Sequence, residues 1–346
     1  MIELLKTVQT IGLRNLLKLN RANRLAWDEI ISGFYTTRTM QALFNVGFFE
    51  EMCKNGKVNV DSFTETKNLD NNILTAICDS LVALSILKKQ SSDYMLDSKG
   101  RILVDVASGW FVGAYGYEEV FHYLEALLRK EKTYGKDIYR RPDFVARGSG
   151  EIERLIYFPL AIDMIACDGY KNVLDLGCGD GTFLRNMCES NNELRGYGID
   201  IAEEAIEEGK EKLKTANLQD RIQLFALDIS KIETIPDPLK DIDVGITFFV
   251  LHELLFTSKD RVLELLGSFR RMFPDVPLIV FEAIRATPDE MHEKPGMAVQ
   301  YLLQHEITHQ KLVYREEWKE LFKTAGFRSI EERYLEFART SIFFIR

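Results

Sequence analysis

Residues 173–181 read VLDLGCGDG, an apolar run holding Asp175 that passes directly into a turn with Gly177, Gly179 and Gly181 at alternate positions. Glycines permit positive φ and let a ligand come close to the main chain. The N–H groups of such a turn, at the start of a helix, form a site for negative charge or polar ligand groups. Asp175 is awkward for a pyrophosphate, which it would repel, but suits an amino-acid ammonium, directly or through water. Asp200 closes the next apolar run, YGIDIA, 25 residues after Asp175, where an acid can accept both hydroxyls of a ribose. Asp228, at the end of LFALDIS, is placed to meet an adenine amino group, and Ile201 and Ile229 follow the two acids as further candidate cofactor contacts.

A Walker phosphate loop is excluded, because no Gly-Lys-Ser/Thr follows the turn. A nicotinamide dinucleotide would use the same turn and the same ribose acid. Three features favour S-adenosylmethionine instead: the acid two residues before the first glycine, the third acid Asp228, and an antiparallel pairing of the last two β-like runs. Histidines supply the rest of the chemistry. His252, in FFVLHELLF, follows the fourth apolar strand, and open α/β sheets bind ligands at the C-terminal ends of their strands. An imidazole there can take a hydroxyl proton near neutral pH; the alternative is a core histidine bonded to a carbonyl. HEITH, residues 305–309, matches the zinc-peptidase pattern HExxH, with Glu316, Glu317 or Glu320 available as a third ligand. A peptidase, however, has no use for the glycine turn and its acids.

These residues must be positioned by an α/β sheet. Short apolar strands recur at 172–176, 196–200, 222–227, 243–249 and 277–282, with helical segments between them. SIEERYLEF and TSIFFIR are joined only by Ala338 and Arg339, so they pair antiparallel. Upstream, residues 1–50 show helical spacing that closes on Leu43, Val46, Phe48 and Phe49, and the first 21 read as an amphipathic helix rather than a signal peptide. Asp61 or Ser62 caps a short helix and Asp70 or Asn71 a second, with Ile73, Leu74, Ile77, Leu81 and Leu84 on one face; ILKKQ and DYMLD form a hairpin about Ser91–Ser92. Helix, helix, hairpin is a winged-helix order. Residues 71–87 carry no arginine and no lysine before the hairpin, and the chain of 346 residues has net charge −9, so nucleic acid and anionic lipid are excluded as partners. No apolar run approaches the ~18 residues of a membrane span. Five cysteines, at 53, 78, 167, 178 and 188, form no CxxC pair, which places the chain in a reducing cytoplasm.

On VLDLGCGDG, YGIDIA and LFALDIS, residues 165–346 resemble the class I S-adenosylmethionine-dependent methyltransferases. With the winged-helix region the whole chain is similar to the small-molecule O-methyltransferases and their phenylpyruvate-type C-methyltransferase relatives. The resemblance implies a Rossmann-like seven-stranded sheet with an antiparallel last strand at 165–346. It also implies a mainly helical winged-helix dimerisation domain at 1–108, a helical linker walling the substrate pocket at 109–164, and a homodimer. His252 stands where that family has its general base. The family's assisting glutamate falls on Leu312, which weakens a base-only O-methyltransferase mechanism. His252 and His305 instead resemble the pair that binds iron in 2-oxo-acid C-methyltransferases, with Glu253 and Glu306 as possible further ligands or partners. GKDIYRRPD resembles a stretch whose arginine grips the substrate carboxylate, which assigns that role to Arg141 or Arg140, otherwise an ordinary surface pair. The expected activity is metal-assisted methylation of a small 2-oxo acid at its β-carbon, in natural-product or modified amino-acid biosynthesis. The alternatives are metal-free O- or N-methylation with His252 as base, and a non-enzymatic protein that keeps the fold.

Overall fold

The computed structural model describes residues 9–346 apart from 11, 26, 235–240 and 295. Part of the expected N-terminal amphipathic helix lies outside the described residues; the remainder includes the helix Leu13–Arg24. The chain divides into two compact units, Met1–Gly116 with Asp143–Ser149, and Tyr117–Pro142 with Gly150–Arg346. The expected border at 108/109 therefore falls inside the helix Ser98–Gly116, which contains no proline to end it. The expected linker, 109–164, is shared between both units.

In the smaller unit Asp70 caps the helix Asn71–Ala83 by accepting the Ile73 N–H at 2.9 Å, as expected. Asn59, rather than Asp61 or Ser62, caps the helix Val60–Lys67, accepting the Ser62 N–H at 3.1 Å; the two expected caps are already inside the helix. Leu74, Cys78 and Leu81 make the buried stripe of Asn71–Ala83. Ile73 and Leu84, expected on it, are 61% and 36% exposed. Ile73 is turned about 100° from Leu74, and Leu84 is the C-cap. The strands β1 (Val58–Asn59), β2 (Leu87–Gln90) and β3 (Asp93–Leu96) form an antiparallel sheet in the order β1-β3-β2, with the hairpin at Ser91–Ser92.

The larger unit is built on β4 (Asn172–Leu176), β5 (Arg195–Asp200), β6 (Ile222–Ala226), β7 (Val244–Phe248), β8 (Leu278–Ala283), β9 (Ile330–Leu335) and β10 (Thr340–Ile345). Each of the five expected parallel strands is present to within one residue at either end. Sheet order is β6-β5-β4-β7-β8-β10-β9, with β10 antiparallel to both neighbours. β7 and β8 are buried along their whole length, as strands covered on both faces must be. From β4 the chain moves outward through β5 and β6, then returns to place β7 on the other side of β4. The switch point between β4 and β7 opens a crevice at their C-terminal ends. The glycine turn leaves β4 there, and the His252 helix leaves β7 there. Among the described residues no helix is long and apolar enough to cross a membrane.

Gly177 has φ +84°, and a Cβ on it would stand 2.5 Å from Val250 Cγ2; Gly179 has φ +53° with open space around that position. Both positions disfavour an L side chain by roughly 1–2 kcal/mol, but only the first adds a collision. Gly177→Ala should therefore lose more stability in urea titration than Gly179→Ala, by about 1–3 kcal/mol. Equal losses would show that the turn is not packed against Val250.

Candidate active site

The turn is bound to β5. Gly177 N–H and Cys178 N–H both donate to the Ile199 carbonyl, at 2.8 and 3.1 Å. Asp200 accepts the Gly179 N–H at 2.8 Å on Oδ2 and the Ala202 N–H at 2.9 Å on Oδ1. Each carboxylate oxygen has a further lone pair, so Asp200 can meet ribose hydroxyls while it fixes the turn. Asp175 is 2% exposed, and its Oδ1 has no hydrogen-bond partner among the described residues. Burial first, then the charges of Glu153 and Asp200, push its carboxyl well above the usual range. A ligand ammonium would answer that orphaned oxygen. Ile201 is 73% exposed beside Asp200, an apolar surface for an adenosyl group, and Asp228 is half-buried just beyond β6. Ile229, by contrast, packs into the core at 9% exposure. Asp180, not singled out in the sequence, caps the following helix through the Thr182 N–H at 3.1 Å and pairs with Lys212 at 2.6 Å.

His252 and His305 come together, with ring centroids 5.3 Å apart and both side chains buried. Glu282, at the end of β8 and fully buried, accepts the Leu251 N–H at 2.7 Å and pairs with His252 Nδ1 at 2.8 Å. His305 Nδ1 lies 2.7 Å from the Tyr301 carbonyl, and the Tyr301 ring lies 4.1 Å from the imidazole. Both partners can only accept, so Nδ1 carries the hydrogen in each ring and Nε2 keeps the lone pair. Burial lowers the His252 pKa, but the charge and hydrogen bond of Glu282 outweigh it and the net shift is upward. His305 has no such acid: burial, then the His252 charge, pull it down to about 3. Phe249, three residues before His252, has φ 57°, a strained setting for an aromatic residue, and its ring packs 4.9 Å from Tyr157.

Of the two candidate arginines, Arg140 stands by the histidines: its charge bears on both rings. It pairs with Glu253 at 2.8 Å and reaches the Tyr117 hydroxyl at 3.5 Å, and Gln310 donates to the same Glu253 oxygen at 2.9 Å. Arg141 is exposed at the N-cap of the helix Pro142–Cys167. Glu306 pairs with Arg285 at 2.6 Å. The peptidase reading of HEITH fails on geometry. The helix Ala298–Ile307 ends before His309, which turns left-handed at φ 56° and stacks on Phe256, so the two histidines do not share one helical face. Glu282 and Glu153 were beyond reach of motif reasoning, since nothing local ties either to the glycine turn or to HEITH.

Residues 168–326, which hold the turn, Asp200, Asp228 and both histidines, match a family profile described as a methyltransferase domain. The chain is 26% identical over 311 residues, 88% of each protein, to a 2-ketoarginine methyltransferase of Streptomyces arginensis. This is an S-adenosylmethionine-dependent methyltransferase. The fold of the methyltransferase resembles that of mitomycin 7-O-methyltransferase MmcR, with TM-score 0.67 and 18% identity over 95% of this chain and 99% of that one. It also resembles human N-acetylserotonin methyltransferase in complex with S-adenosylmethionine, with TM-score 0.65 and 15% identity over 94% and 97% of the two chains.

The two imidazoles of the methyltransferase should titrate far apart. In ring-carbon NMR of the ligand-free enzyme, His252 is expected to titrate above the ordinary ~6.5 and His305 to remain neutral down to about pH 4. Glu282→Gln removes the foremost raising charge and leaves burial and the Arg140 charge opposed by that of Glu253, so the His252 value should fall. A His305 that titrates near 6.5 would contradict the described burial.

Proposed function

We propose that the methyltransferase transfers the methyl group of S-adenosylmethionine to the β-carbon of a small 2-oxo acid, with a metal ion held by His252 and His305. The observation that carries this reading is the second imidazole: a base-only mechanism has no use for His305, buried and kept neutral beside His252. Rings sharing one ion through bonds of about 2.0–2.1 Å lie about 5 Å apart at their centroids, which the 5.3 Å spacing fits. An acid on one Nδ1 and a carbonyl on the other is the outer shell typical of ligating histidines. Among the described residues no cluster of three or more histidine, cysteine or acidic side chains joins them. Further coordination positions would therefore fall to the acceptor and water, as suits a chelating 2-oxo acid. Iron or a similar ion, when bound, supplies Lewis acidity toward the keto oxygen and so acidifies the adjacent C–H. The relative that acts, by its name, on 2-ketoarginine supports this acceptor class.

Arg140 binds the acceptor carboxylate; its guanidinium has five donors, of which Glu253 and Tyr117 engage two nitrogens. Glu253 and Gln310 hold Arg140 in place, and Glu282 holds the His252 ring. Tyr301, whose hydroxyl burial keeps protonated, packs its ring against that of His305. The β-carbon gives its proton to solvent water, its electron pair takes the methyl group in line as the sulfonium S–CH3 bond breaks, and S-adenosylhomocysteine leaves. A second reading rests on the Glu282–His252 pair, which suits a general base for O- or N-methylation without metal. The readings part on mutation. With 2-oxo acids and labelled methyl donor, His252→Ala and His305→Ala should each lose at least ~100-fold in turnover. The double variant should be little worse, and a chelator should abolish turnover. Loss confined to His252→Ala, with chelator inert, would establish the base mechanism instead.

We further propose that the enzyme is a cytoplasmic homodimer whose smaller unit is a winged-helix dimerisation domain. All five cysteines are free, which suits a reducing compartment. Ile30, Ile31, Phe34 and Tyr35, on the helix Trp27–Asn45, are 76%, 52%, 65% and 64% exposed. An apolar face of that extent needs a cover. Sedimentation should give twice 39.9 kDa for the wild type and 39.9 kDa for the double variant Ile30→Glu, Phe34→Glu. A wild type that sediments as a monomer would contradict the dimer.

A further inference from the structure

Glu153 lies on the helix Pro142–Cys167, one turn before Tyr157. Tyr157 anchors that turn: its hydroxyl bonds Thr340 Oγ1 at 2.8 Å, and its ring meets Phe249 and Phe281. Ile152 and Ile156, flanking Glu153, pack into the same core as Val173 and Cys178, on either side of Asp175. The helix therefore runs over the core that holds β4, with Glu153 one turn before the Tyr157 anchor. The two charged groups that bear on Asp175 are both negative, Glu153 foremost and Asp200 second. Asp175 Oδ1 is buried and has no hydrogen-bond partner among the described residues. A buried carboxyl with a half-buried one acting on it, and no cation bearing on it among the described residues, is costly unless a cationic ligand arrives.

We propose that Glu153 is a cofactor-binding residue that closes, with Asp175, an acidic cradle on the α-ammonium of the methyl donor. The alternative of a cationic acceptor tail is disfavoured by position, since Glu153 bears on the acid beneath the glycine turn more strongly than Asp200 does. Burial raises the Glu153 carboxyl to about 7, so near neutral pH it is partly protonated in the ligand-free enzyme. The ammonium favours the ionised form, and the displaced proton passes to solvent. Among the described residues the titratable groups on which this carboxyl bears are Asp175 and Tyr157, and neither is a cation.

The test is calorimetry of S-adenosylhomocysteine binding to the full-length enzyme, in buffers of different ionisation heat and without any acceptor. In the wild type, affinity should rise about tenfold between about pH 6 and pH 8.5, with close to one proton released per ligand at the lower pH. Glu153→Gln should bind at least ~10-fold more weakly at about pH 8.5 and lose half or more of the proton release at about pH 6. The same variant should be no less heat-stable than wild type without ligand at about pH 8.5. A carboxyl whose folded pKa is raised destabilises the fold as pH climbs from the unfolded value of ~4.3 through 7, and glutamine removes that penalty. A pH-independent wild-type affinity overturns the proposal by itself. So does a Glu153→Gln enzyme with wild-type affinity and proton release, including one whose only defect is toward cationic acceptors.

Discussion

Glu282 has no exposure to solvent, and its hydrogen bonds converge on the start of one short helix. Oε1 accepts the Leu251 N–H at 2.7 Å and faces the His252 N–H at 3.3 Å, while Oε2 holds His252 Nδ1 at 2.8 Å. One side chain at the end of β8 thus satisfies two orphan donors of the helix Leu251–Thr257 and fixes the orientation and tautomer of its histidine. Removing it would leave those donors buried without partners, at about 1–3 kcal/mol each, and would free the ring to rotate. The Glu282 contact fixes one of the two rings, and the Tyr301 carbonyl holds the other at 2.7 Å.

The second constraint is the switch in strand order. Because β4 and β7 are neighbours although they are distant in sequence, the glycine turn after β4 and the histidine helix after β7 open on one crevice. Asp200 ties the turn to that topology, accepting the Gly179 N–H from the end of β5. Positive φ at all three turn glycines lets their N–H groups reach protein acceptors: Ile199 for Gly177, Asp200 for Gly179 and Cys178 for Gly181. The glycine turn and the histidine helix therefore stand on opposite sides of a seam that the sheet itself creates.

Much of this was legible in the sequence, for a physical reason. Asp175, the three glycines, Asp200 and Asp228 stand at or beside strand ends, and strand ends are marked by local pattern. The final antiparallel hairpin was legible from its short link. Glu282 was not, because an acid at the end of an apolar strand gives no sign that a helix from the preceding crossover ends against it. Glu153 was hidden for the same reason, since its meaning depends on the helix Pro142–Cys167 lying over β4. Arg140 and Arg141 are adjacent in sequence, and the chain direction at the start of that helix separates the one paired with Glu253 from the more exposed one. Asn59 was missed as a cap because two better-looking candidates, Asp61 and Ser62, follow it within the first helical turn.

The central claim is that His252 and His305 offer two lone-pair-bearing Nε2 atoms to a single ion. Electron spin-echo envelope modulation of the copper(II)-loaded enzyme counts imidazoles bound through one nitrogen by the signature of the remote one. Two bound imidazoles are predicted in the wild type, and one in His305→Ala. A wild-type enzyme that shows none or one, or a His305→Ala enzyme that still shows two, would contradict the account.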